Sequence, residues 1–266
     1  MLQSRRTPAL LFIHHTVCYL SKAMPALLLD IGNTRTKIAV SNQGALTLIS
    51  NTKEITKTFL NTLIKKYNVQ CLLYSNVSEK DVPYLQSLNN KITIIPLNNQ
   101  LILPFRNNYK SATLGQDRIA LVSGATDLFG KSNILIISLG TCIIYDIIDA
   151  RNDYLGGGIS PGLYMRFKAL HHLTARLPLV SVSRSASLIG RTTEQSMQSG
   201  VINGIIGELN YIIREYKKKY KKLNIILTGG DASYFEPHIN YKIFAGDHLA
   251  LRGLQHILKL NYPDFV

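Results

Sequence analysis

The chain has 266 residues, 46% of them apolar, and a formal charge of +14, enough material for one large core or two modest ones. No apolar run reaches the roughly 18 uncharged residues of a membrane-spanning helix, so none is expected. Three widely spaced cysteines, Cys18, Cys71 and Cys142, form neither a disulfide framework nor a Cys-x-x-Cys metal site, and the expectation is a reducing, cytoplasmic location.

Residues 1–23 have a basic start and an apolar middle interrupted by His14 and His15, with no clean small-residue cleavage site. Met24 stands just before the first convincing strand, so translation is expected to begin natively there, with 1–23 a non-native or disordered extension. Strands are then predicted at 26–31, 36–40, 71–74, 92–96, 134–138, 143–148 and 224–228. Helical patterns fall at 55–67, 117–129, 163–176 and 193–219, and the mixture argues for α/β layers. The last of these helices carries apolar residues at Met197, Val201, Ile205, Leu209, Ile212 and Tyr216 and ends in "YKKKYKKLN", 216–224. Lysines in a final helical turn suit the negative end of the helix dipole and stay solvated. With no nucleic-acid-binding motif beside them, nucleic acid is not an expected partner. The net charge suits anionic small molecules.

One internal echo matters more than the rest. "LLLDIGNTRTKIAV" (27–40) and "LIISLGTCIIYDII" (135–148) both run apolar strand, polar residue, apolar residue, Gly, then a second strand. Asp30 matches Ser138 and Gly32 matches Gly140, which implies two similar halves opening with hairpins over a shared cleft. The competing account is chance, since strand-Gly-strand is a common hairpin pattern.

The break Asp30-Ile31-Gly32-Asn33-Thr34 places a glycine where backbone can approach a ligand, with N–H groups able to form an anion nest. Asp30 would repel a phosphate directly unless a cation lies between, and Mg²⁺ is commonly held by one or two carboxylates plus substrate phosphates. The competing reading is a hairpin whose Asx and Gly merely satisfy turn geometry. Further on, Asp117 and Arg118 open a helix, where Asp117 is either an N-terminal cap or a general base beside an orienting cation. Three glycines lead into Ser160-Pro161, expected to start a helix because Pro at the first helical position loses no hydrogen bond. The free N–H groups of that helix would face whatever the glycines approach. "ILTGGDA" (226–232) ends a strand in Gly229 and Gly230, where a flat base could slide against bare backbone. His171 and His172 point apart on a helix and read as packing or surface residues rather than metal ligands.

Six motifs in order, Asp-x-Gly-Asn-Thr (30–34), Gly-x-Asp-Arg (115–118), Gly-Thr (140–141), Gly-Gly-x-Ile-x-Pro-Gly ending at Gly162, "TTEQSMQSG" (192–200) and Thr-Gly-Gly (228–230), together resemble type III pantothenate kinase over nearly everything after Met24. The resemblance implies the acetate and sugar kinase, heat-shock protein and actin fold: an α/β, duplicated ribonuclease-H-like architecture with two lobes, 24–132 and 133–266, around a nucleotide cleft. It implies ATP-dependent phosphorylation of pantothenate, the first step of coenzyme A biosynthesis, in a homodimer whose interface helps to build the substrate pocket. By the same resemblance Asp30, Ile31, Gly32, Asn33, Thr34, Arg35, Thr36 and Lys37 bind ATP phosphates, with Mg²⁺ held at Asp30 through water. Thr141, Gly229 and Gly230 bind ATP from the second half. Asp117 is the base for the pantothenate hydroxyl, Gly115, Gln116 and Arg118 flank the substrate, and Thr193 and Tyr109 contact it.

The chain departs from the family at Ser138-Leu139-Gly140-Thr141, where Asp-Phe-Gly-Thr is usual and the Asp is implicated in binding an activating monovalent cation, K⁺ or NH₄⁺. Ser138 keeps an oxygen and loses the charge, so a weakened cation site is expected, while Cys142 reads as small and inert. Two other functions compete: a kinase of another small alcohol on the same scaffold, and a nucleotide-binding transcriptional accessory factor. Asp30 and Asp117 argue for chemistry; the lysine run and the missing carboxylate at 138 argue for the accessory factor.

Overall fold

A computed structural model describes residues 24–265 apart from 79–81, 89, 99, 112 and 184; the expected extension at 1–23 lies outside them. The first half opens with the predicted hairpin, β1 (Ala26–Ile31) and β2 (Thr36–Asn42). A tight turn at Gln43-Gly44, both at positive φ, leads to β3 (Ala45–Thr52). Helix α1 (Lys57–Tyr67), capped by the Thr56 hydroxyl, returns the chain to β4 (Cys71–Asn76), and the short α2 (Pro83–Gln86) to β5 (Thr93–Pro96). The sheet order is β3-β2-β1-β4-β5, with β4 parallel to β1 and β5 parallel to β4.

After the two-residue β6 (Arg106–Asn107) and α3 (Gln116–Phe129), the pattern repeats. Strands β7 (Asn133–Leu139), β8 (Cys142–Ile148) and β9 (Asp153–Pro161) form an antiparallel meander. Helices α4 (Leu163–His172) and α5 (Thr193–Lys219) lead to β10 (Leu223–Thr228), and α6 (Ala232–Phe235) to β11 (Phe244–Ala245). Helix α7 (Leu249–Asn261) follows, with a short 3-10 turn at Pro263–Phe265 behind it. The order β11-β10-β7-β8-β9-β6 reproduces the first sheet element for element, with β6 added at the edge. The expected echo is a duplicated topology.

Strand periodicity sends alternate residues to opposite faces. Leu27, Leu29, Ile38, Val40 and Leu72 pack outward against Leu60 and Leu63 of α1. Leu135, Ile137, Tyr145 and Leu227 pack outward against Phe167 of α4 and Met197, Val201, Ile205 and Leu209 of α5. The inward faces, Leu28, Ala39 and Leu73 of one sheet and Ile134, Ile136 and Ile226 of the other, share one core with α3 and α7. Those two helices cross closely through glycine: a Cβ on Gly253 would overlap the Ala120 carbonyl, and one on Gly124 the Leu249 carbonyl. The halves also exchange elements, since β6 joins the second sheet and α7 packs on β1, β2 and β4 of the first.

Several local expectations are corrected. Ser160 and Pro161 end β9 instead of starting a helix; α4 begins at Leu163 behind Gly162 and stops at His172. The glycine run is strand because it packs under aromatic rings and backbone: a Cβ on Gly156 would lie 3.0 Å from the Tyr109 ring, and one on Gly157 would overlap the Tyr145 carbonyl. Helix α5 stands as predicted, its Thr192 cap accepting from the Gln195 N–H at 3.2 Å and its last turn carrying Lys217, Lys218 and Lys219. Among the described residues no helix is long and apolar enough to cross a membrane.

Candidate active site

The turns after β1 and β7 leave equivalent strands and face each other. Gly32 N–H donates to the Arg35 carbonyl and Gly140 N–H to the Cys142 carbonyl, both at 3.0 Å. The hydroxyls of Thr34 and Thr141 approach to 3.3 Å, so each half contributes one turn to a common cleft. Ile31 and Thr36 are buried and shape the first turn from within, while Arg35 donates through Nη1 to the Asn51 carbonyl at 2.9 Å and braces it against β3. Asn33 is exposed. Gly229 has φ +101°, and a Cβ there would overlap the Leu139 carbonyl; only glycine lets β10 exit flush against the second turn. Lys37, Thr228, Gly229, Gly230 and Gly246 line one cavity of about 240 Å³ that both halves wall.

Asp30 sits opposite Lys37 on β2 and Ser75 on β4, and Ser75 Oγ donates to its Oδ1 at 3.0 Å. Burial pushes the Asp30 carboxyl above the usual carboxylate range; the Lys37 charge and the Ser75 hydrogen bond oppose that, and the nearby Asp117 charge reinforces it. Asp117 is therefore electrostatically coupled to the first turn. It lies in the first turn of α3, whose capping position is Gly115 rather than Asp117. Its Oδ1 accepts the Arg118 N–H at 2.8 Å, and a Cβ on Gly115 would stand 2.6 Å from that oxygen. Burial raises the Asp117 pKa, while the Arg118 amide and guanidinium act the other way. Gln116 Oε1 accepts the Asn76 N–H at 2.7 Å, fastening the start of α3 to the end of β4.

Arg118 is buried. It meets Asp146 of β8 through Nη2 at 2.6 Å and Nε at 3.1 Å, with its guanidinium 5.1 Å from the Tyr109 ring centre and 5.8 Å from that of Tyr154. Tyr154 donates its hydroxyl to Asp146 Oδ1 at 2.7 Å. Asp146 was not anticipated; the signal available was a single carboxylate inside the apolar run "CIIYDII". Ser138 holds in the second sheet the place of Asp30 in the first, flanked by Ile144 and Thr228.

Among the described residues no three His, Cys, Asp or Glu side chains gather to hold a metal. His171 and His172 do not point apart as expected: their ring centres lie 5.0 Å from each other at the end of α4, and His171 Nδ1 lies 2.8 Å from the Leu177 carbonyl. A single half-buried carboxylate, Asp30, with one oxygen committed to Ser75 fits a hard cation that arrives on phosphates, not an all-protein cage. Thr193 is not part of this constellation within one chain. It lines a separate, mainly apolar groove of about 720 Å³ between α4 and α5, with Arg166, Leu170, Leu173, Met197 and Val201.

Twin five-stranded cores with glycine turns meeting across a cleft, and a coupled carboxylate at a helix start beside them, define a duplicated ribonuclease-H-like α/β enzyme. The sequence profile of type III pantothenate kinases matches residues 26–215. Relatives bearing that name include one from Christiangramia forsetii, 41% identical over 238 residues covering 88% of this chain and 98% of its own. One from Flavobacterium johnsoniae is 38% identical, covering 86% and 95%, and one from Bacteroides fragilis 38%, covering 88% and 98%. A solved Baf-family protein from Campylobacter jejuni, 24% identical, shares the fold with a TM-score of 0.55 over 88% of this chain and 97% of its own. The chain belongs to the type III pantothenate kinase family.

Proposed function

We propose that this protein transfers the γ-phosphoryl group of ATP to the primary hydroxyl of pantothenate, opening coenzyme A biosynthesis, with Asp117 as the general base. Family membership supports the reaction; the observation that supports the base is a half-buried carboxylate, raised in pKa and coupled to Asp30 at the phosphate turn. One carboxylate oxygen of Asp117 is fixed by the Arg118 amide, which leaves the other to accept the hydroxyl proton. The new O–P bond then forms as the bond from Pγ to the β–γ bridging oxygen breaks, releasing ADP. Such a transfer needs positioning and charge neutralisation more than covalent work.

In this reading the 30–37 turn, Thr141 and the Gly229-Gly230 backbone hold the nucleotide. Asp30 would hold Mg²⁺ that enters with ATP, and that ion, when bound, neutralises charge on the phosphates. Tyr109, Gly115, Gln116 and Arg118 frame the acceptor. The monovalent cation site is weak, because Ser138 offers a neutral oxygen where its counterpart Asp30 offers a charge. The lobes are 24–132 and 133–266, with β6 and α7 exchanged. Two copies pair over the α4–α5 groove, where Tyr164, Leu173, Leu188 and Ile189 are exposed, bringing Thr193 of the partner subunit to the acceptor. The site of action is the cytoplasm.

A coupled ADP-release assay with pantothenate and other small alcohols, with and without K⁺, tests the reading. Turnover specific to pantothenate and lost in Asp117→Asn is expected. Near-normal turnover in that variant removes Asp117 as base, and preference for another alcohol reassigns the substrate.

A further inference from the structure

The second sheet sends one carboxylate into the layer between the sheets. Asp146 lies in mid-strand β8, opposite Ile136 and Gly157, and is 1% exposed against 7% for the Arg118 side chain, so the pair is closed to water. Its Oδ1 collects Arg118 Nε, Arg118 Nη2 and the Tyr154 hydroxyl. Tyr109 and Tyr154 both lie against the guanidinium, and the Tyr109 ring can come in only because Gly156, at φ +89°, offers no Cβ. The cation is thus seated by a carboxylate and two ring faces, with the Tyr154 phenol holding that carboxylate, all on elements other than its own helix.

That seating matters because of the next residue along. Asp117 rests one oxygen on the Arg118 amide, and both carboxylates feel the same guanidinium. Without Asp146, a buried Arg118 would hold an unpaired charge, and the carboxylate open to it is Asp117. A guanidinium–carboxylate pair is strong and bidentate where water is excluded, and it would occupy the oxygen that the reaction needs free.

We infer that Asp146 is a positioning residue which claims Arg118 and so keeps Asp117 available as base. This rests on the proposed role of Asp117, and its test separates the two. Asp146→Asn, Tyr154→Phe, Arg118→Gln, the Asp146→Asn/Arg118→Gln double variant and Asp117→Asn are compared in full-length protein for kcat, for KM of pantothenate and for melting temperature. Asp146→Asn is expected to lower kcat about 10–100-fold with KM changed less than about threefold, and Tyr154→Phe to lower kcat about 2–5-fold. In the Arg118→Gln background, Asp146→Asn is expected to lower kcat by less than threefold, because the cation it restrains is gone. A merely structural role would instead lower the melting temperature with kcat per folded molecule unchanged, which overturns the inference. An equal loss in both backgrounds also overturns it. If Asp146→Asn does not fold, Tyr154→Phe decides, and an unaltered kcat there overturns the proposal. Active Asp117→Asn would overturn the base itself, whereas inactive Asp117→Asn beside fully active Asp146→Asn removes only the positioning role.

Discussion

Gly253→Ala puts one methyl group at the crossing of α3 and α7. In an exposed helix this exchange gains about 1 kcal/mol from propensity. Here the new Cβ overlaps the Ala120 carbonyl and stands 2.7 Å from the Gly124 nitrogen. Every obstructing atom is backbone, so no rotamer change relieves it and the helices must move apart. Overpacking a tight core costs about 1–3 kcal/mol, and a gap of 0.5–1 Å forfeits a quarter to a half of the dispersion well for each contact. Because the obstruction is rigid, the cost falls at the upper end, and the expected net loss is about 1–2 kcal/mol. For a chain of this length that corresponds to a melting temperature lower by roughly 3–6 °C. Urea unfolding followed by circular dichroism should show a lower midpoint at unchanged slope. Gly124→Ala should behave alike, and the double variant should cost less than the sum, since the first methyl already opens the crossing. A Gly253→Ala protein as stable as the parent, or more so, would refute the reasoning.

Asp117→Asn should cut kcat about 10²–10⁴-fold in the coupled assay, with circular dichroism unchanged. The base acts ionised and burial raises its pKa, so kcat/KM should fall as pH is lowered, with a midpoint above the ordinary carboxylate value of about 4; a midpoint at or below 4 would contradict the assignment. Asp30→Asn should raise KM for MgATP at least about tenfold without loss of thermal stability, because it removes a partly desolvated charge while Ser75 keeps an acceptor. Native alkylation with peptide mapping should label Cys142, which is only half-buried and so accessible where the sequence suggested an inert residue, and spare Cys71, whose buried thiol is pushed up to about 12; ATP should slow the Cys142 reaction, since it adjoins Thr141.

The paired turns were legible because a polar break inside an apolar hairpin is conspicuous, and it occurs twice. Strand β3 was not, because none of its residues is fully buried and it carries no buried face to read. Strand β9 was hidden by its glycines, which suggest a loop until Tyr109 and Tyr145 are seen packing on them. Helix α7 has the right apolar spacing in Leu251, Leu254 and Leu258, yet its central glycine reads as a breaker until the crossing shows what it admits. Asp117 was legible as a helix-start carboxylate, but its coupling to Asp30 and the seating of Arg118 by Asp146 depend on contacts between distant strands. Local pattern carries no information about those.

Helix α7 also sets a schedule for synthesis. The inner face of the opening sheet, with Leu28, Ala39 and Leu73, is covered partly by α3 and partly by residues at positions 249–261, so the share that α7 covers stays open while almost the whole chain leaves the ribosome. An amino-terminal unit that matures before its successor, the usual order, would here lack one of the two helices of its core. A nascent chain stalled short of residue 249 would present the apolar patch that α7 covers, a natural client for chaperones.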